Sequence, residues 1–201
     1  MTILTLVRHG ETDWNSQRRI QGSTDIPLND TGRAQARDAA ASLRELLPAD
    51  GPIAIATSDL SRARETAQII AEGLGVDGLR LYPQLRERGY GEAEGLDVAE
   101  FRSRWGEWHD AEVPGAEAWP DVRVRGLEGL RAAVRDAHLD TAPVAASLIV
   151  VSHGALIREL IRHATSGEFP LPGERLGNAS LHSLRYERDR ITLLSYDPVS
   201  A

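Results

Sequence analysis

Short apolar runs alternate with amphipathic stretches from one end of the chain to the other. Residues 3–7, 53–57 and 148–152 are continuous apolar runs, the pattern of strands buried on both faces. A weaker strand is predicted over 79–82, and two closing strands over 181–186 and 191–196 flank a charged turn. Residues 31–47 carry apolar side chains at helical spacing. Ala34, Ala39, Leu43, Leu46 and Leu47 offer a buried face, Asp30 or Thr31 serves as the N-cap, and Pro48 stops the helix. Further helices are predicted over 61–74 (ending before Gly75), 97–105, 122–139 and 155–164. Strands alternating with helices predict an α/β fold, a three-layer α/β/α sandwich with a mostly parallel central sheet. Residues 106–120, richer in Trp, Gly, Pro and acids, read as an excursion over the sheet, and a lid-like segment is expected around 88–121. With no internal repeat or linker, residues 1–201 are read as one domain.

Composition narrows the function. No apolar run approaches the ~18 residues that span a bilayer, so no membrane partner is expected. The first residues lead straight into a strand, without a basic region or a small-residue cleavage site, so the cytoplasm is the expected compartment. A formal net charge of -7 disfavours a nucleic-acid partner, yet a few converging arginines can still dominate the field in a cleft. The chain has no cysteine, which excludes disulfides, thiolate nucleophiles and Cys-ligated metals. It also has no lysine, all 23 basic residues being arginine, which excludes Schiff-base chemistry and a P-loop lysine.

Ligands of open α/β sheets bind at the carboxyl ends of the strands. Three predicted strand ends carry suggestive residues: Arg8-His9-Gly10, the stretch Ser58-Asp59-Leu60-Ser61-Arg62, and Ser152-His153-Gly154. Together they bring two histidines and two arginines to one sheet edge. A phosphoryl group is a compact dianion, arginine offers it a planar fork of donors with a permanent charge, and helix N-termini add backbone N–H groups. A neutral imidazole can attack phosphorus. The Asp-x-Asp, His-Glu-x-x-His and Gly-x-Ser-x-Gly patterns of other hydrolases are absent, so histidine remains as the nucleophile for covalent phosphoryl chemistry. His109, His138, His163 and His182 lack such settings and read as surface or packing residues.

Taken in order, the motifs resemble the histidine phosphatase superfamily, the phosphoglycerate mutase-like group. Leu6-Val7-Arg8-His9-Gly10-Glu11-Thr12 with Trp14-Asn15 is similar to its signature. Gln21-Gly22, Asp25, Ser58-Asp59-Leu60-Ser61-Arg62-Ala63 with Thr66-Ala67, Leu85-Arg86-Glu87, Pro114-Gly115-Ala116-Glu117, Val150-Val151-Ser152-His153-Gly154 and Gly177-Asn178-Ala179-Ser180 continue the likeness. The resemblance implies a phosphoglycerate mutase-like fold and a set of roles. His9 becomes phosphohistidine; Arg8, Arg62 and His153 clamp the phosphoryl oxygens, and Asn15 adds a neutral donor. Glu87 is the general acid and then the base, with burial expected to keep its carboxyl protonated. Gln21, Gly22 and Asn178 sit at the pocket rim, Tyr90 and Gly154 belong to the substrate-binding set, and Glu117 anchors the lid or caps the following helix. No metal and no cofactor are implied, and the protein is expected as a monomer or homodimer.

Within that family the sequence favours a phosphomonoester phosphatase acting on a small phosphorylated substrate. The alternatives are a phosphoglycerate mutase-type transferase and a phosphoprotein phosphatase. A mutase must hold a second anionic group, and the corresponding region, residues 101–109, lacks lysine and paired arginines. Trp105, Trp108 and Trp119 offer an apolar wall or pack the lid. Glu107, Asp110 and Glu112, if they face the pocket, suit neutral or sugar-like leaving groups.

Overall fold

The apolar runs become the middle of one sheet. The computed structural model describes residues 1–48, 50–106 and 111–199. In it β1 (Thr2–Arg8), β2 (Ile53–Thr57), β3 (Arg80–Leu81) and β4 (Ser147–Ser152) run parallel, in the order β3-β2-β4-β1. β5 (Arg175–Leu176) stands apart, in a two-stranded antiparallel ribbon with β8 (Pro198–Val199). β6 (Leu181–Glu187) pairs antiparallel with β1, and β7 (Arg190–Ser195) closes the edge. β5 and β8, two residues each, escape a reading based on periodicity.

Alternation along the strands divides the core. Leu4, Leu6, Leu148 and Val150 pack on one face against Leu130, Ala133 and Val134 of α5 (Trp119–Thr141) and Leu156, Ile157 and Leu160 of α6 (Gly154–Ala164). Val7, Ile55, Ile149 and Val151 point the other way, onto Ala39, Ala40 and Leu43 of α2 (Asp30–Leu46) and Ala63, Ala67 and Ile70 of α3 (Ser61–Leu74). The three-layer arrangement is therefore as expected. The face of α2 is not: Ala34 and Leu46 are exposed, and Gly32, Ala36 and Ala40 take the core side with Ala39 and Leu43. Its N-cap is Asn29, whose side chain accepts from the Gly32 N–H, rather than Asp30 or Thr31.

Two short elements and the excursion complete the site edge. α1 (Asp13–Ser16) is one turn, held by reciprocal bonds between Thr12 and Asn15. α4 (Val98–Trp105), capped by Asp97, lies in the excursion. There Tyr90, Ala93, Phe101 and Val113 form a third apolar cluster with Ile20, and Tyr90 bridges to Ala116. Trp105 packs on Phe101, with ring centroids 5.6 Å apart. Trp108, and with it Glu107, His109 and Asp110, lies outside the described residues. Among those described, no helix is long and apolar enough to cross a membrane.

Candidate active site

β1 and β4 are adjacent and parallel, so their ends arrive side by side: Arg8 pairs with Ser152, and the His9 N–H donates to the Ser152 carbonyl at 2.9 Å. This register sets the two His-Gly pairs together, with the His9 and His153 rings 5.2 Å apart between centroids. His9 is 2% exposed. Its Nδ1 lies 2.7 Å from the Gly10 carbonyl oxygen. A carbonyl only accepts, so Nδ1 carries the hydrogen and Nε2 keeps its lone pair. Burial, then the charges of Arg62 and Arg8, hold the His9 pKa well below the usual histidine value. His153, fully buried, is lowered in the same direction by burial, then by Arg62, His9 and Arg8. Both rings are neutral near pH 7.

The backbone around His9 is pinned from α2 and α3. A Cβ on Gly10 would stand 2.3 Å from the Gly32 carbonyl oxygen, so the strand exit and the start of α2 meet backbone to backbone. The Gly10 N–H donates to Thr66 Oγ1 at 3.0 Å, and that hydroxyl donates to the Arg62 carbonyl at 2.7 Å. Thr66 thus ties the residue after His9 to the turn that carries Arg62.

Arg62 is fully buried, and burial pushes its pKa down to about 10 despite the opposing charges of Glu87 and Asp25. Its two terminal nitrogens donate to the Gly22 and Thr24 carbonyls, each at 2.8 Å. Glu94 holds that loop, accepting from the N–H and hydroxyl of Ser23 and of Thr24 and from the Tyr90 N–H. Arg8 donates to the Leu176 carbonyl. Among the described residues, Arg8 Nε, Arg62 Nε, both nitrogens of His153 and Gln21 Oε1 are buried with no hydrogen-bond partner. Four of these five are nitrogens around His9, the arrangement an anion satisfies.

Glu87 is only partly buried, short of the burial that was expected to keep its carboxyl protonated. It lies at the α6 N-terminus, where its carboxylate accepts from the Ala155 and Leu156 N–H groups at 3.1 and 3.2 Å and from the Arg88 N–H at 2.9 Å. Neither neighbouring arginine pairs with it: Arg86 forms a two-pronged bridge to Asp59, and Arg88 donates to the Glu117 carbonyl and stacks on Tyr90 and Trp119. The anchor that the sequence reading missed is Arg125 of α5. Its guanidinium donates to the carbonyls of Gln84, Arg86 and Glu87 and grips both Glu117 oxygens, while Glu117 accepts from the Gly89 N–H. Glu117 thus anchors the acid loop to α5 rather than capping it; no side chain caps α5 at Ala118.

A cavity of about 1530 Å³ opens over these groups. Arg8, His9, Arg62 and Glu87 line it, as do Asn15, Gln21, Gly22, Tyr90, Gly154 and Asn178. His153 alone of the expected set is not on the wall; it is fully buried, with its ring centroid 5.2 Å from that of His9. Asn15 uses its carbonyl oxygen for the Thr12 cap, which leaves its NH₂ for the cavity, and Asn178 donates to the His9 carbonyl at 3.1 Å. Gly154 makes room for Arg8, since a Cβ there would lie 3.3 Å from Arg8 Nε. Trp119 lines the cavity, whereas Trp105 and the exposed Glu112 do not. Among the described residues no group of three or more His, Cys, Asp or Glu is placed to hold a metal.

Residues 4–197 match the sequence profile of the histidine phosphatase superfamily (branch 1). The chain belongs to that superfamily. The uncharacterized phosphatase PhoE of Bacillus subtilis is 36% identical over 197 residues, covering 98% of this chain and 95% of its own. A probable phosphoglycerate mutase, GpmB of Photorhabdus laumondii, is 35% identical over 90% of this chain and 84% of its own. Among solved structures, the mycobacterial glucosyl-3-phosphoglycerate phosphatase in complex with VO3 superposes with a TM-score of 0.78 at 29% identity, over 97% of this chain and 98% of that one. Fold and family expectations both hold, and phosphatases and mutase-like proteins stand side by side among the relatives.

Proposed function

We propose that this histidine phosphatase superfamily member is a metal-independent phosphomonoesterase that works through a phosphohistidine at His9 on small phosphorylated metabolites. One observation carries the proposal: a buried neutral imidazole whose Nδ1–H is spent on the Gly10 carbonyl, leaving Nε2 as nucleophile amid unpartnered nitrogens of Arg8, Arg62 and His153. In the first step Nε2 of His9 forms a bond to phosphorus while the P–O bond to the leaving group breaks, and Glu87 gives that oxygen its proton. Arg8, Arg62, His153 and the Asn15 amide hold the phosphoryl oxygens as charge builds. In the second step water attacks phosphorus, Glu87 takes a proton from it, the P–N bond breaks, and inorganic phosphate leaves.

Hydrolysis rather than transfer is favoured by the breadth of the cavity, about 1530 Å³, which admits water beside a small ester. The relatives named for phosphoglycerate and for glucosyl-3-phosphoglycerate support a small metabolite as substrate. The proposed setting is the cytoplasm, with residues 1–201 as one domain, the segment around 88–121 as its lid, and the protein a monomer or homodimer. The deciding experiment follows phosphate release from p-nitrophenyl phosphate and 3-phosphoglycerate in the presence of chelator, with rapid quench at high pH to trap phosphoenzyme. Turnover through an acid-labile, base-stable adduct on His9 is expected. Loss of activity in chelator, or isomerisation of 3-phosphoglycerate without phosphate release, would overturn it.

A further inference from the structure

The cavity that begins at His9 continues along α6. Gly154 and Ala155 at the start of that helix share its wall with Arg158 and Arg162. Gly154, Arg158 and Arg162 are spaced four apart and so lie on one helix face. At 1.5 Å rise per residue, the two arginines stand about 6 Å and about 12 Å along the axis from the glycine that touches Arg8. Arg123 of α5 and Arg175 of β5 line the same cavity.

These cations are under-neutralised. Among the described residues Arg158, Arg162 and Arg175 form no ion pair, whereas Arg123 pairs with Glu159 at 3.3 Å. The Arg158 guanidinium donates to the Glu174 backbone carbonyl at 2.7 Å, a neutral acceptor that fixes its direction without cancelling its charge. The Glu174 carboxylate turns instead to the Tyr196 hydroxyl at 2.6 Å and the Leu171 N–H at 2.7 Å. Burial, then the adjacent charge of Arg162, lowers the Arg158 pKa despite the opposing charge of Glu174, and a bound anion relieves the Arg158–Arg162 repulsion. Among the described residues the whole cavity is lined by nine arginines against four carboxylates, in a chain of formal net charge -7.

We propose that this outer half is a second anion subsite, in which Arg158 and Arg162, flanked by Arg123 and Arg175, bind a carboxylate or second phosphate on the leaving group. The subsite rests on the phosphatase reading and deepens it. The preferred substrates are phosphomonoesters whose leaving group carries a remote anion one to two helical turns from the reacting phosphorus.

Two matched pairs of esters test it. 6-Phosphogluconate and sorbitol 6-phosphate differ in a carboxylate; fructose 1,6-bisphosphate and fructose 6-phosphate differ in a second phosphate. The anionic member of at least one pair is expected to have the higher kcat/KM by about tenfold or more, the worth of a charge-assisted contact. That ratio falls toward one in Arg158→Gln/Arg162→Gln. It persists in Arg37→Gln/Arg64→Gln, which removes the same charge from exposed positions outside the cavity. Arg162 is exposed, so Arg162→Gln alone keeps the Arg158 anchor and gives an intermediate ratio. Equal kcat/KM within both pairs, or a preference that survives the Arg158/Arg162 double substitution, overturns the subsite. Calorimetric binding of the same pairs to His9→Ala reads the subsite without turnover. Failure to hydrolyse any ester would therefore sink the phosphatase reading, while the binding preference still decides the subsite.

Discussion

The hydrogen bond from His9 Nδ1 to the Gly10 carbonyl fixes which nitrogen meets phosphorus, and burial, then the charges of Arg62 and Arg8, keeps that nitrogen unprotonated. Since the His9 pKa is held well below the usual histidine value, the acid limb of kcat/KM is expected below pH 6.5. A limb at ordinary histidine pH that vanished in a His9 variant would contradict this. His9→Ala is expected to cost at least about 10³-fold in turnover of p-nitrophenyl phosphate, with the fold intact by circular dichroism. Thr66→Val tests the neighbouring contact. It removes the acceptor of the buried Gly10 N–H, so it should lower stability by about 1–3 kcal/mol in urea melts and lower kcat with it. His9, Arg8, Arg62, Glu87 and His153 were legible because their motifs carry chemistry. Thr66 was quoted within a motif, but its partner lies 56 positions away, and no spacing rule announces such a bond.

At the scale of elements, the site is assembled by backbone carbonyls that long-range pairing delivers. Gly22 shows the cost of that design. Its φ is +56°, and a Cβ there would stand 2.1 Å from Glu94 Oε1, the carboxylate that orders the loop receiving Arg62. Gly22→Ala should lose about 1–3 kcal/mol and raise KM for every ester, as thermal melts and steady-state kinetics would record. Arg125 does for the acid loop what Glu94 does for the arginine loop. In Arg125→Ala the Gln84, Arg86 and Glu87 carbonyls lose their common donor. Proton delivery from Glu87 matters most when the departing oxygen is a poor leaving group. Turnover of glycerol 3-phosphate should then fall about tenfold further than that of p-nitrophenyl phosphate. An equal fall for both would reduce Arg125 to a structural role. Such clasps were invisible because α5 reads along the sequence as an ordinary amphipathic helix with solvated arginines. Periodicity gave its body but not its first turn, which begins at Trp119 with Pro120 rather than at 122. The α2 cap was missed for a related reason: Asn29, Asp30 and Thr31 are all competent caps, and only the path of the chain out of Leu28 selects among them.

Across the whole molecule, three of the described histidines, His9, His153 and His182, are buried, and their burial has a consequence for acid stability. His182, which the sequence assigned to surface or packing, is a fully buried packing residue on β6, opposite Leu6 of β1. Its Nδ1 accepts from the Asp197 N–H at 3.3 Å, so Nε2 carries the hydrogen toward Ser180 Oγ at 2.9 Å, and Ser180 in turn donates to the Gly177 carbonyl at 2.7 Å. Burial, then the charge of Arg8, pushes its pKa down to about 4. His9 and His153 are lowered too, so the unfolded chain binds more protons than the folded one below about pH 6.5. The stability these neutral rings contribute is complete above that pH and is lost as pH falls toward about 4, of order 3 kcal/mol for His182 alone. Urea midpoints should therefore drop steadily from pH 7 to pH 4.5. His182→Gln should start lower but fall less steeply, by about one proton's worth of slope; an unchanged slope would remove His182 from the account. A phosphate ion at Arg8 and Arg62 screens the charges that oppose protonation, yet it binds only the folded form. It should raise the whole curve without abolishing its acid fall, which separates stabilisation of the site from titration of the core.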